Sequence, residues 1–272
     1  MLTIDEIKDF FKLENSHAKK ELGQNFLINL KVCEDICDAL NINDNDKVLE
    51  IGPGLGSLTD ILINKTKNLT CVEYDNKFYN FLNKCYENRE INIVKSNILH
   101  FKDYSMNKII GNLPYYITTD ILEFIMMNYK NLDLGVFMIQ NEALKRLTAK
   151  SGKDFNAINV LIDYKYKLTP LFLVKKNNFF PVPNVDSIVF KMDNDKEKSL
   201  DFVLSLYKVA KILFSNRRKT IGNNLKSLIK DTNSIEEILN SINLTQSLRA
   251  ENLKTEDFVN LTQILLNKGI IR

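Results

Sequence analysis

The chain has 272 residues, 44% of them hydrophobic, and a formal net charge of +3. It is long enough to bury a sizeable core, and the slight positive charge permits a nucleic-acid partner without requiring one. Two histidines without a second ligand at metal spacing, and four cysteines outside any C-x-x-C pair, argue against a zinc site and a histidine-based triad. We expect buried reduced thiols, no bound metal, no membrane span and a cytoplasmic location.

Short apolar runs alternate with amphipathic stretches of helical length over the first half of the chain. Strands are predicted at 47–51, 69–74, 91–96, 107–112 and 134–140. Helices are predicted at 29–40, 55–65, 75–86 and 117–128. This alternation is typical of parallel strands joined by crossover helices, so the predicted fold class is α/β with a Rossmann-like sheet.

The second half of the chain changes character twice. A predicted helix at 155–165 precedes two strands, "YKLTPLFLV" and "SIVFKM", which are joined by a loop and therefore predict an antiparallel edge of the sheet. After the polar segment "DNDKEKS" only helices are predicted, at 199–212, 218–230, 234–241 and 255–267. We therefore predict an α/β domain of residues 1–193 and a small all-α domain of residues 194–272.

The carboxyl ends of the predicted strands carry groups suited to a nucleoside. The first strand runs into "EIGPGLGSLT", in which Gly52 and Gly54 let the backbone turn sharply and approach a ligand. The spacing departs from the G-x-G-x-x-G of dinucleotide-binding sites, which argues against a pyrophosphate cofactor. Glu73 ends the second strand, where a carboxylate can bind both ribose hydroxyls, and Asn97 follows the third. This set suits S-adenosylmethionine, and its order resembles that of the class I methyltransferases.

The fourth strand ends in "NLPY", residues 112–115, which resembles the amino-methyltransferase motif [DN]-[PIL]-P-[YF]. The lone pair of an adenine amine is delocalised into the ring, so the amine is a poor nucleophile until acceptors hold its hydrogens. We expect the side-chain oxygen of Asn112 and the carbonyl oxygen of Leu113 to be those acceptors. Pro114 would keep the turn rigid, and Tyr115 would stack on an extracted base. A plain strand-terminating turn is the alternative reading of this motif.

Taken together, these motifs resemble the rRNA adenine N6,N6-dimethyltransferases of the KsgA type, over nearly the whole chain. That family dimethylates two adjacent adenosines near the 3′ end of small-subunit rRNA. The resemblance of "KKELGQNFLIN" implies cofactor contacts from Asn25 and Leu27, and that of "FFPVPNVDSIVF" implies that Phe179 lies against the target base. It also implies a monomer that acts on a partly assembled small subunit. One departure is Asn97, where the family usually has Asp, so a charge is missing.

Basic residues predict the RNA contacts. "FSNRRKTIGNNL" resembles the basic signature of the family's C-terminal domain and contains Arg217, Arg218 and Lys219. Arg146 lies in a stretch that resembles E-x-x-x-R-[LI]-x-A-x-x-G, and further lysines accompany it: Lys19, Lys20, Lys145, Lys150 and Lys153. Such groups would bind RNA phosphates, although a charge cluster is as often a solvated surface.

Two alternatives remain open. The macrolide-resistance dimethyltransferases share the fold and the chemistry but modify large-subunit (23S) rRNA; "LGQNFL" and "FSNRRKT" favour the small-subunit (16S) enzymes. Mitochondrial transcription factors on this fold act mainly as nucleic-acid-binding proteins, so a non-catalytic assembly factor is the second alternative. The lack of an Arg-rich transit segment in the sequence counts against that second reading.

Overall fold

A computed structural model describes residues 1–18 and 23–271 of the chain. The chain divides into two compact units, one made of Met1–Leu144 with Leu168–Asn194, the other of Lys145–Lys167 with Asp195–Arg272. None of the helices in the described residues has the length and apolar character needed to cross a bilayer.

The first unit is built on a seven-stranded sheet. Its strands are β2 (Val48–Ile51), β3 (Leu69–Glu73), β4 (Asn92–Lys95), β5 (Lys108–Asn112), β6 (Leu134–Gln140), β7 (Tyr166–Val174) and β9 (Ser187–Asn194). They lie side by side in the order β4-β3-β2-β5-β6-β9-β7. The first five are parallel, and β9 pairs antiparallel with β6. The predicted α/β class with an antiparallel edge is therefore confirmed.

The helices of this unit are α1 (Ile4–Leu13), α2 (Leu30–Ala39), α3 (Thr59–Leu62), α4 (Asn76–Cys85) and α5 (Thr118–Asn128). Helix α6 (Asn141–Leu147) begins in this unit and ends in the second. Crossover helices cover a parallel sheet, so every residue of β2 and β3 is buried. The predicted helix at 55–65 is mostly turn and only α3 is regular helix, because Gly54 and Gly56 adopt positive φ angles of 59° and 84° that a helix does not contain.

The strand order places a ligand crevice between β2 and β5. The chain runs outward from β2 to β3 and β4 and then returns to β5 on the other side of β2, so the strand order reverses at that point. In an open parallel sheet the carboxyl ends of strands next to such a reversal enclose the ligand crevice. The pairs Ile51 with Val72 and Asn112 with Met138 align these ends at one edge.

A short ladder that the sequence patterns did not predict lies beside this edge. Strands β1 (Phe26–Leu27) and β8 (Phe179–Phe180) pair antiparallel, with Leu27 opposite Phe179. Two-residue strands have no periodicity, so the sequence gives no signal for them. The ladder joins the "QNFL" motif to the "FFPVP" motif.

The second unit contains α7 (Ala157–Lys165), α8 (Leu200–Phe214), α9 (Ile221–Leu225), α10 (Thr232–Asn240) and α11 (Thr255–Asn267). Thr220 caps α9 by accepting from the backbone N–H of Asn223, so this helix begins later than the predicted residue 218.

The second unit also takes in residues 145–167, which the sequence reading assigned to the first domain. The reason is packing: α7 lies against α8 and α11, and its residues Ile158, Val160 and Leu161 are buried. The Phe155 ring forms edge contacts with the rings of Phe214 and Phe258. The polar break near residue 194 therefore marks only one of the places where the chain passes between the units.

Candidate functional site

A cavity of about 370 Å³ opens at the carboxyl ends of β2 to β5. Every residue predicted to bind the cofactor lines it: Asn25, Leu27, Gly52, Gly54, Glu73, Asn97 and Asn112. They come from four strand ends and from the N-terminal motif, so the structure brings together residues that are up to 87 positions apart in sequence.

The glycine turn after β2 forms one wall of the cavity. Gly52 and Gly54 have φ angles of 65° and 59°, in the left-handed region that glycine adopts without strain. A Cβ atom on Gly54 would lie 3.2 Å from the ring of Phe26, which also lines the cavity. The backbone N–H of Gly54 donates to Glu73 Oε2 at 3.0 Å, so the turn and the carboxylate hold each other in place.

Glu73 presents a buried carboxylate. Its Oε1 accepts a second bond from the backbone N–H of Asp75 at 2.7 Å, and the side chain is 6% exposed. Burial raises the pKa of Glu73 above its usual value, while the hydrogen bonds from Asp75 and Gly54 act in the opposite direction. Each carboxylate oxygen can accept a further hydrogen bond, so this group can bind the two hydroxyls of a ribose.

A second buried carboxylate, Glu50, lines the cavity and was not among the predicted site residues. Its Oε2 accepts from Thr59 Oγ1 at 2.7 Å and from Cys71 Sγ at 3.4 Å. Burial raises the pKa of Glu50 to about 7. The available sequence signal was a charged residue inside the apolar run "KVLEI", since a charge in a buried strand needs partners or a function.

Asn97 and Tyr74 lie at the neighbouring strand ends. The Asn97 Oδ1 atom accepts from the backbone N–H of Leu99 at 3.0 Å. Tyr74, which directly follows Glu73, lines the cavity with 68% of its surface exposed. This exposed ring is a further site residue that the sequence reading did not single out, and it offers a flat face to a nucleobase.

The "NLPY" turn forms the opposite wall. Asn112 Nδ2 donates to the carbonyl oxygen of Asn25 at 3.3 Å, and Asn112 Oδ1 has no partner among the described residues. The backbone N–H of Leu113 donates to the Met138 carbonyl oxygen at 3.0 Å, which extends the strand pairing into the turn. Pro114 lines the cavity, and its carbonyl oxygen accepts from Thr118 Oγ1 at 3.0 Å. The amide oxygen of Asn112 is therefore free to accept from a ligand.

Three residues predicted to touch the base lie outside the cavity lining: Leu113, Tyr115 and Phe179, and the first of them is only 1% exposed. The Tyr115 hydroxyl is 3.2 Å from Ser187 Oγ on β9, and burial raises the pKa of this phenol. The Phe179 side chain is only 1% exposed, because its strand pairs with β1 and its ring joins the core that contains Leu27. Tyr116, 56% exposed, is the tyrosine of this turn that lines the cavity.

The residues predicted to bind RNA differ in their surroundings. Arg217 Nη2 donates to the carbonyl oxygens of Gly152 and Phe155, at 3.1 and 3.0 Å, and to Glu251 Oε2 at 3.1 Å. Arg217 therefore ties a loop to its own unit although it is exposed. Arg146, Arg218 and Lys219 are exposed as well. The predicted contacts from Lys19 and Lys20 lie outside the described residues. No group of side chains suited to a metal ion occurs in the described part of the chain.

Comparisons with known proteins show the family of this chain. Residues 15–267 match the family model described as ribosomal RNA adenine dimethylase. The small subunit rRNA methyltransferase A of Fusobacterium nucleatum is 37% identical, over 90% of this chain and 97% of the relative. That of Malacoplasma penetrans is 40% identical, over 93% of each chain.

Solved structures show the same fold. A dimethyladenosine transferase from Plasmodium falciparum superposes with a TM-score of 0.75 at 22% identity, over 90% of this chain and 98% of that one. The 23S rRNA methyltransferase ErmE superposes with a TM-score of 0.64 at 19% identity, over 88% and 98%.

A Rossmann-like sheet whose glycine turn, buried Glu73 carboxylate and "NLPY" turn surround one cavity is typical of an S-adenosylmethionine-dependent methyltransferase. The family model that matches residues 15–267 identifies the family within this class of enzymes. The chain belongs to the ribosomal RNA adenine dimethylase family.

Proposed function

We propose that this protein transfers methyl groups from S-adenosylmethionine to N6 of two adjacent adenosines near the 3′ end of small-subunit (16S) rRNA. The observation that carries the proposal is a cavity whose lining includes every predicted cofactor residue, Asn112 among them. Within residues 1–18 and 23–271 the Asn112 amide oxygen has no partner. The named relatives are small-subunit rRNA methyltransferases, which favours this substrate over 23S rRNA.

The cofactor side of the cavity would be held by residues of the first unit. Glu73 would accept from the ribose hydroxyls, and the glycine turn would let the methionine part approach the backbone. The bound cofactor supplies a methyl group on a positively charged sulfur. Glu50, Glu73 and Asp75 give the lining three acidic side chains, which suits that positive charge.

Asn112 and Leu113 would activate the target amine. The free Asn112 Oδ1 and the Leu113 carbonyl oxygen would accept the two N–H bonds of adenine N6, which favours a pyramidal nitrogen with its lone pair directed at the methyl carbon. The nitrogen becomes acidic once it carries the fourth bond, so proton loss to water needs no strong base. Catalysis would rest on alignment of the nitrogen, the methyl carbon and the leaving sulfur.

The exposed Tyr116 would stack on the extracted base. The first methylation leaves a single N–H on the nitrogen. In the second round Asn112 and Leu113 therefore cannot both keep an amine donor.

Charge separation between the units supports RNA binding by the helical unit. The second unit contains 19 Lys and Arg against 11 Asp and Glu, a charge of +8, whereas the first contains 18 against 23, a charge of −5. The small overall charge hides this asymmetry. Exposed basic groups such as Arg146, Arg218 and Lys219 would bind RNA phosphates, so binding would weaken with salt. We propose a catalytic first unit and an RNA-binding second unit.

The biological setting follows from the family and is likewise proposed. The substrate would be rRNA within a pre-30S particle, the protein would act as a cytoplasmic monomer without a metal, and its activity would contribute to small-subunit biogenesis.

Incubation with labelled S-adenosylmethionine and undermethylated small or large subunits tests the function. The proposal expects label in two adjacent adenosines of the small-subunit rRNA, located by primer extension. Label in 23S rRNA would identify the large-subunit alternative, and no label despite binding would identify a non-catalytic factor. The variant Asn112→Ala serves as the control, because it removes the amine acceptor and leaves Glu73 in place.

A further inference from the structure

The side-chain amide of Asn112 has a fixed orientation. Its Nδ2 donates to the backbone carbonyl oxygen of Asn25 at 3.3 Å, and a carbonyl oxygen can only accept. Turning the amide over would set Oδ1 against that oxygen, and two acceptors that face each other repel. The contact with Asn25 therefore decides that Asn112 presents its oxygen, rather than its NH₂ group, to a ligand in the cavity.

The Asn25 carbonyl group belongs to a short stretch of chain that is held on two further sides. This N-terminal segment (residues 25–28) contains β1, whose two residues pair with β8. The Leu27 carbonyl oxygen accepts from Ser57 Oγ at 2.9 Å, which ties the segment to the glycine turn after β2. These contacts and the bond from Asn112 fix the position of the Asn25 carbonyl oxygen beside the end of β5.

We propose that the N-terminal segment is a positioning element for catalysis, in which the Asn25 carbonyl oxygen holds the Asn112 amide with its oxygen directed at the target amine. The inference rests on the proposed function and deepens it, because Asn112 Oδ1 is one of the two acceptors assigned to adenine N6. It also gives a reason for an amide at residue 112. A carboxylate there has the acceptor that the amine needs and lacks the donor that Asn25 needs.

The variant Asn112→Asp separates these two requirements. The ionised carboxylate has no hydrogen, so one of its oxygens faces the Asn25 carbonyl oxygen and repels it. The protonated carboxylic acid has the shape of the amide, donates its O–H to Asn25 and keeps a carbonyl oxygen for the amine. We therefore expect the variant to be active in its protonated form and inactive in its ionised form.

The surroundings of residue 112 favour the protonated form of that carboxyl group. The ionisable side chains in the described cavity lining are all acidic: Glu50, Glu73, Tyr74, Asp75 and Tyr116. The N-terminal segment and β6, which pairs with β5 at Asn112, contain no ionisable side chain, and the Tyr115 hydroxyl contacts Ser187. Negative neighbours without a positive one raise the pKa of an added carboxyl group above its usual value of about 4.

The experiment measures kcat on undermethylated small subunits at saturating S-adenosylmethionine, at pH 6 and pH 8, for the native chain, Asn112→Asp and Asn112→Ala. Each variant is divided by the native chain at the same pH, which removes the titration of Glu50, whose pKa is about 7. The relative kcat of Asn112→Asp should rise by about tenfold or more from pH 8 to pH 6, because the protonated fraction grows about tenfold for each pH unit above the pKa. Asn112→Ala, which has neither donor nor acceptor, should stay inactive at both.

The outcomes separate this inference from the proposed function. A relative kcat of Asn112→Asp that is equal at both pH values, or higher at pH 8, overturns the inference, because a charged acceptor then works without a donor to Asn25. A variant that is inactive or unfolded at pH 6, as thermal melting shows, overturns it too, since the protonated acid supplies the same two groups as the amide.

Calorimetry with S-adenosylhomocysteine completes the test. The affinity of Asn112→Asp should stay within about threefold of the native chain at both pH values. An affinity that falls in step with kcat at pH 8 overturns the inference, because residue 112 then supports the cavity as a whole. If the native chain transfers no methyl group to the small subunit, the proposed function fails and the inference fails with it.

Discussion

Replacing Glu73 by Gln exchanges one carboxylate oxygen for an NH₂ group in the cavity wall that the glycine turn forms. The native carboxylate accepts from two backbone donors, Gly54 N–H at 3.0 Å and Asp75 N–H at 2.7 Å. Glutamine has one oxygen, so its NH₂ group must face one of these N–H groups. An unsatisfied buried donor costs about 1–3 kcal/mol, and we expect the free energy of unfolding to fall by that amount.

Cofactor affinity should fall as well. A hydrogen bond to a charged acceptor contributes about 1.5–3 kcal/mol and a neutral one about 0.5–1.5, so exchanging one for the other costs at most about 2.5 kcal/mol, roughly 70-fold in the dissociation constant. We expect a loss of about 10-fold or more for S-adenosylhomocysteine, because the two ribose hydroxyls share the same carboxylate and the Gly54 turn shifts with it.

Calorimetric titration with S-adenosylhomocysteine, paired with urea unfolding, measures both effects. Glu87→Gln makes the same chemical change at an exposed position and should alter neither quantity. A variant that unfolds more easily yet binds with unchanged affinity would show that Glu73 supports the glycine turn and takes no part in ribose binding.

The remaining predictions concern three other positions. Asn112→Ala should abolish methyl transfer and leave S-adenosylhomocysteine affinity within a few fold; equal losses of both would make Asn112 a structural residue. Glu50→Gln should stabilise the protein more at pH 8 than at pH 5. The pKa of Glu50 is about 7 in the folded chain and 4.5 in the unfolded chain, so the native protein loses stability as the pH rises from 4.5 to 7. The loss is on the order of 3 kcal/mol, and the glutamine variant does not undergo it. Urea unfolding that gives the same free-energy difference between the variant and the native chain at pH 5 and at pH 8 would contradict this prediction. Arg218→Ala should reduce the slope of log binding constant against log salt concentration for rRNA by about one unit. Arg217→Ala should mainly lower the unfolding temperature, because its guanidinium bonds the loop carbonyls. An equal loss of slope in both variants would contradict this distinction.

The strand ends could be predicted from the sequence because each is marked by a local change of composition. Strands of four or five residues end at or shortly before Gly52, Glu73, Asn97 and Asn112, and parallel strands bring such ends to one edge. The cavity follows from this pattern and from chain topology alone. It requires no knowledge of side-chain packing.

The directions of Tyr115 and Phe179 could not be predicted in this way. The Tyr115 hydroxyl contacts Ser187, a residue 72 positions away, and Phe179 is buried by a two-residue ladder with no periodic signal. Both depend on tertiary contacts between short segments. The division of the chain in the structure differs from the predicted domains at residues 145–167 for a similar reason: α7 packs on α8, a contact that the position of the polar break does not indicate.

The charge of the cavity accounts for the choice of cofactor class more directly than the glycine spacing does. A pyrophosphate brings two negative charges and needs backbone donors or basic side chains. The lining contains Glu50, Glu73 and Asp75, and none of the lining residues in the described chain is Lys or Arg. One of the turn's N–H groups, that of Gly54, is already donated to Glu73. Such a wall repels phosphates and attracts a sulfonium and an ammonium group. The same field binds the neutral sulfur of the product less strongly than the cationic donor, so it assists product release after each of the two methylations.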